Sequence, residues 1–400
     1  MIKKVAIVHT DFRLYWPSRL RRLSDYLSKK NIELVVLEIS GKGSPYGFEG
    51  NVQRPKNINW ICIYPEEKME NLQAGKAVKK TMDFLDQINP DIVIAGAIAF
   101  PGGAAAVRWC NKHKKHVVVF DDARIDDVPR AGYVNWIKRK IYALVDAMFI
   151  PAPSHDKSYE FFGFLKNQLF YGVNCVDNDF FSCSNNDLQA DFLNKPYFLV
   201  VGRQIKVKNL YALISVFEKI CNEKKVQDIN LVLIGDGDEH EGLREAAGEL
   251  LQKRIFFYGY KSQYELRSIY RNAEALVLSS HRETWGLVVN EAMASGLPVL
   301  VSKKCGCVET LVEDGANGYV MDPDNNASIE SALLRFVALM PDEKSEMRRI
   351  SRKIINNWGL DRFCEGVWES LCYVCERKKR NGGIVGKIII SLWNGRYRPV

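Results

Sequence analysis

Two glutamates, Glu283 and Glu291, stand with seven residues between them in the segment HRETWGLVVNEAMASGLPV. The pattern predicts a small-residue helix over Gly286–Ala294, which places Glu291 on the helix and Glu283 in the loop before it. A helix N-terminus attracts phosphate through its unpaired N–H groups, and carboxylates accept hydrogen bonds from sugar hydroxyls. The pair therefore favours a phosphorylated, polyhydroxylated ligand. The alternative is one acid that complements the helix dipole and one solvated glutamate.

A group of basic residues follows an earlier apolar run, in VVGRQIKVKNL. Gly202 allows a ligand to approach the backbone closely. Arg203 and Lys208 bracket a loop that leads into a helix expected from about Asn209. The forked guanidinium of Arg203, the point charge of Lys208 and the free N–H groups at the start of the helix together suit a diphosphate. The alternative is two solvated loop cations.

Two weaker signals lie at the ends of neighbouring apolar runs. In LVLIGDGDEHEGL, Gly235 opens a tight turn that resembles a nucleotide-binding turn but lacks the full GxGxxG pattern. A structural turn is an equally good interpretation. Tyr260 ends the run FFYGY. It either faces a nucleobase or packs beside the loop.

The elements that must position these residues form two series of short apolar runs alternating with helical patterns. This rhythm predicts α/β units and largely parallel sheets, so that the chain reads as two doubly wound domains. The predicted strands are Val5–His9, Glu33–Ile39, Trp60–Ile63, Ile92–Ala95, Val117–Phe120 and Ala147–Ile150, followed by Tyr197–Val201, Asn230–Ile234, Ile255–Tyr258, Ala275–Leu278, Val299–Val301 and Gly318–Val320.

The division between the two series falls in the polar segment Gly172–Lys195, which we interpret as a linker. The predicted domains are residues 1–175, with 361–400 packing back on them, and residues 176–360. After Pro341 the chain is expected to be helical. Ligands of open α/β sheets bind at the carboxyl ends of strands, so a cleft between two facing sheets is the expected site.

Bulk properties exclude several classes of protein. The chain has 400 residues, 47% hydrophobic residues and a net charge of +8. No stretch has the length of a transmembrane helix, and the opening MIKKVAIVHT reads as a strand and not as a signal peptide. No nucleic-acid-binding motif is present, so the charge favours phosphorylated ligands or lipid head groups. The ten scattered cysteines are expected to be reduced thiols, which indicates a cytoplasmic protein.

The second half of the chain resembles the large family 4 of retaining, nucleotide-sugar-dependent glycosyltransferases with the GT-B fold. The resemblance covers roughly residues 197–323. The matching segments, in order, are VGRQIKVKN, LVLIGDGDE, FYGYKSQYEL, SSHRETWGLVVNEAMASGLPVLVS and CGCVETLVEDGANGYVMDP. It implies two Rossmann-like domains facing across a cleft, with C-terminal helices that return toward the first domain.

The resemblance also implies roles for individual residues. Arg203 and Lys208 would hold the donor diphosphate and neutralise the leaving group. Glu291 would bind the ribose hydroxyls, and Glu283 would contact the transferred sugar. Backbone N–H groups around Gly286 and Leu287 would assist. Such enzymes retain the anomeric configuration and need no metal or other cofactor.

The first half matches this family less well. Many relatives carry a glycine-rich loop after the first strand, whereas this chain reads HTDFRLYWPSRL. Many also carry a histidine after the strand matching VVVF, where this chain has Asp121 and Asp122. An acid there could meet positive charge at the sugar carbon or bind an acceptor hydroxyl. Simple solvation of a loop is the alternative.

Basic and apolar segments raise the question of a membrane surface. The segments PSRLRRLSDYLSKK and WIKRKIYALVDAMF suit anionic head groups, although packing against the sheet explains both. The terminal tail, with Trp393, Arg396 and Arg398, is the better candidate, and the alternative is that it packs on the first domain. A peripheral position on the inner face of the membrane would follow.

The function that the sequence favours is transfer of a sugar from a nucleoside-diphosphate sugar to a carbohydrate or lipid-linked saccharide acceptor. Bacterial surface polysaccharide or lipid-linked oligosaccharide synthesis is the context in which many relatives act. A sugar-nucleotide epimerase of similar fold and an inactive nucleotide-binding scaffold are the rivals. The residues do not name the base, the sugar, the acceptor or the oligomeric state.

Overall fold

The computed structural model describes residues 2–42, 54–127, 129–183, 195–223, 226 and 228–396. The chain divides into two compact units. Unit 1 contains residues 1–175 and 360–400, and unit 2 contains residues 176–359. The domains read from the sequence, residues 1–175 with 361–400 and residues 176–360, stay a prediction.

Unit 1 is built on a sheet of seven parallel strands. These are β1 (Lys4–His9), β2 (Glu33–Ser40), β3 (Asn59–Tyr64), β4 (Ile92–Ala95), β5 (His116–Phe120), β6 (Ala147–Ile150) and β7 (Leu169–Tyr171), in the order β3-β2-β1-β4-β5-β6-β7. The connecting helices are α1 (Trp16–Ser28), α2 (Ala74–Ile88), α3 (Pro101–His113), α4 (Gly132–Tyr142) and α5 (Asp156–Phe161).

The sheet of unit 1 is covered on both faces, which explains its nearly continuous apolar strands. Successive residues of a strand point to opposite faces. Accordingly, Ala6 and Val8 of β1 belong to one hydrophobic core, whereas Val5 and Ile7 belong to another.

Unit 2 is built on a sheet of six parallel strands. These are β8 (Tyr197–Val201), β9 (Asn230–Ile234), β10 (Ile255–Tyr258), β11 (Ala275–Leu278), β12 (Val299–Ser302) and β13 (Gly318–Met321), in the order β10-β9-β8-β11-β12-β13. Its helices are α6 (Asn178–Ser182), α7 (Leu210–Asn222), α8 (His240–Ala246), α9 (Gln263–Asn272), α10 (Leu287–Ala294), α11 (Val308–Leu311), α12 (Asn326–Val337) and α13 (Pro341–Ile355). The chain then returns to unit 1 through α14 (Leu360–Cys375) and α15 (Gly383–Leu392).

Both sheets reverse their strand order beside their first strand, between β1 and β4 and between β8 and β11. At such a switch point the connecting loops diverge to opposite faces and leave a crevice at the carboxyl ends of the strands. The loops after these four strands are therefore the positions where each unit is built to receive a ligand.

All twelve predicted strands are present, each within one residue of its expected ends. The sequence interpretation missed β7, a strand of three residues that lies just before the predicted linker. The linker itself is not structureless, because α6 forms in it, with the Asp177 side chain accepting a hydrogen bond from the Phe180 amide at 3.1 Å. Residues 184–194 of the linker and Arg398 of the tail lie outside the described residues.

All ten cysteines are free thiols. In the part of the chain that the structure describes, no helix combines the length and apolarity needed to cross a lipid bilayer.

Candidate active site

The carboxyl end of β8 carries the first predicted cations. A small hollow at the switch point is lined by backbone and side chains from the ends of β8 and β11, namely Val200, Val201, Gly202, Arg203, Lys208, Leu210, Val277, Leu278 and Ser279. Gly202 has a φ of +149°, and a Cβ built on it would lie 3.7 Å from the Lys208 ammonium nitrogen. The glycine thus leaves open the space immediately beside the lysine.

Lys208 and Glu283 are brought together although they are far apart in sequence. The Lys208 Nζ atom lies 2.6 Å from the Glu283 Oε2 atom, and the two side chains are 14% and 21% exposed. Helix α7 begins at Leu210, after Asn209 in the left-handed conformation at φ +57°. This conformation ends the short 3-10 turn Lys206–Lys208 and fixes where the lysine points.

The backbone around this ion pair is held by bonds from three loops. The Ser279 hydroxyl donates to the Lys208 carbonyl at 3.1 Å, and the His281 amide donates to the Val207 carbonyl at 2.8 Å. On the other side, the Gly306 amide donates to the Glu283 carbonyl at 3.0 Å. Both members of the pair are therefore positioned by tertiary contacts and not by the local sequence alone.

Helix α10 begins next to Glu283. Gly286 precedes it with a φ of +104°, a conformation that side-chain-bearing residues rarely adopt, and its Cα faces the Glu283 side chain. Among the described residues, the N–H groups of Gly286, Leu287 and Val288 have no acceptor. The predicted pairing of helix N-terminus and carboxylate is thus present, with amides available for an anion.

Glu291 lies in the second turn of α10 and is buried, with 2% of its surface exposed. The Tyr270 hydroxyl, from α9, donates to its Oε2 atom at 2.6 Å. The sequence analysis missed Tyr270, because its spacing from Glu291 carries no signal until the fold brings α9 beside α10. The tyrosine fixes one carboxylate oxygen and so orients the other.

Gly235 has a structural reason for being glycine. Its φ is +128°, and a Cβ there would lie 2.0 Å from the carbonyl oxygen of Gly202. The loops after β8 and β9 therefore pack backbone against backbone, with the Gln204 side-chain amide donating to the Gly235 carbonyl at 2.8 Å. The close approach to Gly202 thus explains why this turn position is a glycine. A ligand contact at Gly235 stays a prediction.

Tyr260 is placed two residues beyond the end of β10 and is 51% exposed. Strand β9 separates β10 from β8. In the described residues, Tyr260 has no hydrogen bond to Lys208 or Glu283. The choice between its two sequence interpretations stays open.

Asp121 and Asp122 follow β5 in unit 1, and neither is a simply solvated loop acid. The Tyr142 hydroxyl donates to Asp121 at 3.0 Å, and the Asn174 amide donates to Asp122 at 3.1 Å. Tyr142 is fully buried, and burial together with the Asp121 charge raises its pKa well above the ordinary value. Tyr142 therefore stays a hydrogen-bond donor and keeps Asp121 in place.

The loop after β1, where relatives carry glycines, is instead packed with rings. The His9 ring lies 5.0 Å from that of Phe120 and 5.5 Å from that of Trp16, and Gly96 leaves room for it. Burial, with a smaller contribution from the Arg19 charge, lowers the pKa of His9 to about 4. Burial raises the pKa of the neighbouring Asp11 to about 6. His9 is thus neutral at physiological pH, unlike the cations of unit 2.

The arrangement in unit 2 can bind a polyanion that carries hydroxyl groups. Arg203 and Lys208 supply positive charge at the end of β8, and the start of α10 supplies amides. Glu283 and Glu291 supply acceptors for hydroxyl groups. Two doubly wound parallel units in one chain, the second with this strand-end group, define the GT-B class of fold.

The family is identified by the second unit. Residues 187–354 match the protein family described as Glycosyl transferases group 1. The resemblance to group 1 glycosyltransferases read from the sequence segments is thus confirmed for this part of the chain, whereas membership of family 4 and the retaining mechanism stay predictions.

One curated relative covers most of this chain. The sulfoquinovosyl transferase of Arabidopsis thaliana is 25% identical over 351 residues, which are 82% of this chain and 64% of the relative. An uncharacterized glycosyltransferase of Methanocaldococcus jannaschii is 33% identical over 132 residues, 33% of each chain. This chain thus spans less than two thirds of the length of these relatives.

Solved structures match over nearly the whole chain. Anabaena Alr3699/HepE, solved with UDP, has a TM-score of 0.72 at 14% identity and covers 93% of this chain and 100% of its own; it was also solved with UDP-glucose. The sucrose-phosphate synthase of Thermosynechococcus elongatus has a TM-score of 0.70 at 16% identity, covering 94% and 99%. At these identities the likeness concerns the fold, and it confirms the predicted GT-B fold. The relatives reported above with a named activity are transferases or synthases, so they give the epimerase alternative no support.

Proposed function

We propose that the protein is a retaining, metal-independent glycosyltransferase that moves a hexosyl group from a nucleoside-diphosphate sugar to an acceptor. The observation that carries the proposal is the Lys208–Glu283 pair beside Arg203, at the end of β8 in a group 1 glycosyltransferase domain. Two cations and a carboxylate thus lie near the carboxyl end of β8, and phosphates bind at this end of the strands in doubly wound sheets.

In this proposal, donor binding rearranges the ion pair. Lys208 exchanges part of its contact with Glu283 for the donor phosphate, and Glu283 then accepts hydrogen bonds from the sugar. Arg203 and Lys208 neutralise the charge that develops on the diphosphate as it leaves, and the departing diphosphate itself stabilises the positive charge on the sugar carbon. The two cations supply the positive charge that a metal ion supplies in other transferases. Retention by a front-face mechanism, in which the leaving phosphate takes the acceptor proton, is the expectation from the family resemblance.

The nucleoside is assigned to Glu291 and its neighbourhood. Tyr270 donates a hydrogen bond to one carboxylate oxygen of Glu291 and holds the side chain in place, and in the proposal this carboxylate accepts hydrogen bonds from the ribose hydroxyls. The N–H groups of Gly286 and Leu287 assist with phosphate or sugar. Gly202 and Gly235 allow the backbone to approach the diphosphate, and Tyr260 is the candidate to face the base.

The acceptor is assigned to unit 1. Asp121 and Asp122, held by Tyr142 and Asn174, are the candidates to bind its hydroxyl groups. A carbohydrate or lipid-linked saccharide, as in surface polysaccharide synthesis, is the proposed class. A peripheral, cytoplasmic position on an anionic membrane belongs to the same proposal, because a lipid-linked acceptor is available only at that surface.

A thermal-shift screen with UDP-, GDP-, ADP- and CMP-sugars tests donor binding. A ligand at about 100 times its dissociation constant should add about 2.7 kcal/mol of stability. UDP-glucose is the first candidate, since it is the ligand solved with HepE. If no nucleotide sugar stabilises the chain, the proposed donor site is wrong.

A second assay separates the transferase from its rivals. With the stabilising donor, product should form only when a saccharide acceptor is added, and the new linkage should keep the anomeric configuration of the donor. Treatment with a chelator should leave the rate unchanged. An epimer formed from donor alone would favour the epimerase, and binding without turnover across an acceptor panel would favour the inactive scaffold.

A further inference from the structure

Exposed apolar side chains of unit 1 are concentrated on two packed helices, α4 and α15. The exposed fractions are 70% for Tyr133, 77% for Ile384 and 77% for Leu392, and Trp136, Val385 and Ile388 are also exposed. We call these six residues the α4–α15 surface. Large contiguous apolar surface on a soluble domain marks an interaction site.

Helix α15 is held so that this face points outward. Gly386 and Ile390 are buried, and a Cβ on Gly386 would lie 2.7 Å from the Lys140 carbonyl oxygen of α4. Arg108 of α3 donates to the Ile390 carbonyl at 2.9 Å and the Trp393 carbonyl at 2.6 Å. Because Ile384, Ile388 and Leu392 follow each other at four-residue intervals, they share the opposite face.

Basic residues surround the apolar ones. Arg139, Lys378 and Lys387 are exposed and have no acidic partner among the residues that the structure describes. The segments 129–142 and 377–400 contain no aspartate or glutamate. The Lys140 ammonium nitrogen lies 5.7 Å from the centre of the Trp136 ring, which keeps a cation beside an aromatic side chain.

We propose that the α4–α15 surface binds the head groups and upper acyl chains of an anionic lipid bilayer. A helix of ten residues is about 15 Å long, too short for a bilayer core of about 30 Å, so α15 would lie in the plane of the interface. Its apolar face would enter the acyl boundary, Tyr133 and Trp136 would lie at head-group level, and the cations would meet lipid phosphates. The inference deepens the peripheral membrane position of the proposed function by naming the surface that makes the contact, and it does not require the proposed sugar transfer itself.

Sedimentation with vesicles tests the surface. The full chain should bind vesicles of phosphatidylcholine with about a third phosphatidylglycerol more tightly than pure phosphatidylcholine, and added salt should weaken the binding. Ile388→Ser should reduce binding about tenfold. Lys387→Gln should reduce it about fivefold on anionic vesicles only.

The matched control is Met340→Ser, which removes an exposed apolar side chain of unit 2 and should bind vesicles like the natural chain. Equal binding by Ile388→Ser and Met340→Ser would overturn the proposal, as would no binding to anionic vesicles at low salt. If the natural chain does not bind vesicles but self-associates, and Ile388→Ser is monomeric, the surface is an interface between copies. No nucleotide or acceptor is present in these measurements, so failure here leaves the donor screen unaffected.

Discussion

Both sheets are doubly wound, but the residues at their switch points differ in charge and polarity. At the switch point of unit 2, Gly202, Arg203 and Lys208 line a hollow, and Lys208 forms an ion pair with Glu283. At that of unit 1, the neutral His9 packs among aromatic rings, and Asp11 binds a proton more readily than usual.

The difference shows what each edge is fitted to bind. Fixed positive charge and open backbone suit a polyanion, which in the proposed function is the donor diphosphate. An aromatic edge with a neutral histidine and anchored acids suits a ligand rich in hydroxyl groups. The following variants test this difference between the two units.

The largest effect is expected from Gly235→Ala. The added Cβ would meet the Gly202 backbone at 2.0 Å, so the loops after β8 and β9 must separate. We expect the free energy of unfolding of unit 2 to fall by about 3 to 4 kcal/mol, with a loss of nucleotide affinity. Urea unfolding and calorimetry measure the two effects.

The matched control is Gly248→Ala. Gly248 also has a positive φ, +49°, but a Cβ there meets nothing within 4 Å. Only the conformational cost of about 1 kcal/mol is expected. Equal losses of stability in Gly235→Ala and Gly248→Ala would show that the close backbone packing at Gly235 adds nothing to the cost of the substitution.

The second prediction concerns the pH dependence of unit 1. Between about pH 4 and pH 6, folded His9 is neutral while the unfolded histidine is protonated, so stability rises with pH. Folded Asp11 is protonated in the same window while the unfolded carboxyl is ionised, so its contribution falls with pH. The two contributions oppose each other.

When one of the two groups is removed, the pH dependence that the other contributes to stability should therefore become visible. In Asp11→Asn, stability relative to the natural chain should rise by about 3 kcal/mol from pH 4 to 6, and in His9→Gln it should fall by a similar amount. Urea unfolding followed by tryptophan fluorescence measures this, since Trp16 lies beside His9. If the stability of the two variants changed with pH in the same way, the assignment of a neutral His9 and a protonated Asp11 at this edge of unit 1 would be wrong.

The third prediction concerns the charged edge of unit 2. Lys208→Ala removes the cation nearest the open backbone of Gly202 and should cost about 2 to 3 kcal/mol of diphosphate interaction, a loss of roughly 30- to 150-fold. Calorimetry with the donor and the turnover rate measure it. Lys206→Ala is the control, because Lys206 lies in the same 3-10 turn but is exposed. Unchanged turnover in Lys208→Ala would contradict the assignment of a polyanion site to this edge of unit 2.

The smallest effect is expected from Tyr142→Phe. Loss of the hydroxyl leaves Asp121 without one donor, which should destabilise unit 1 by about 1 to 2 kcal/mol. If Asp121 binds the acceptor, KM for the acceptor should also rise while donor affinity stays constant. Tyr264→Phe, at an exposed tyrosine of unit 2, is the control. A change in donor affinity alone would place Asp121 with the donor.

Local pattern made much of the fold predictable. Parallel strands buried on both faces produce short, continuous apolar runs, and these located twelve strands to within one residue. The short strand β7 was missed because three residues give too little periodicity. In the linker, the single capping residue Asp177 starts a helix that composition did not indicate.

The residue types at the ends of β8 and β5 and at the start of α10 can be read from local pattern, because glycine at a strand end and a carboxylate before a helix have local physical reasons. The contacts of Lys208 with Glu283, of Tyr270 with Glu291 and of Tyr142 with Asp121 depend on the tertiary structure. Such pairs join residues 21 to 75 positions apart, and their geometry depends on how the sheet aligns its strands, which no local pattern encodes.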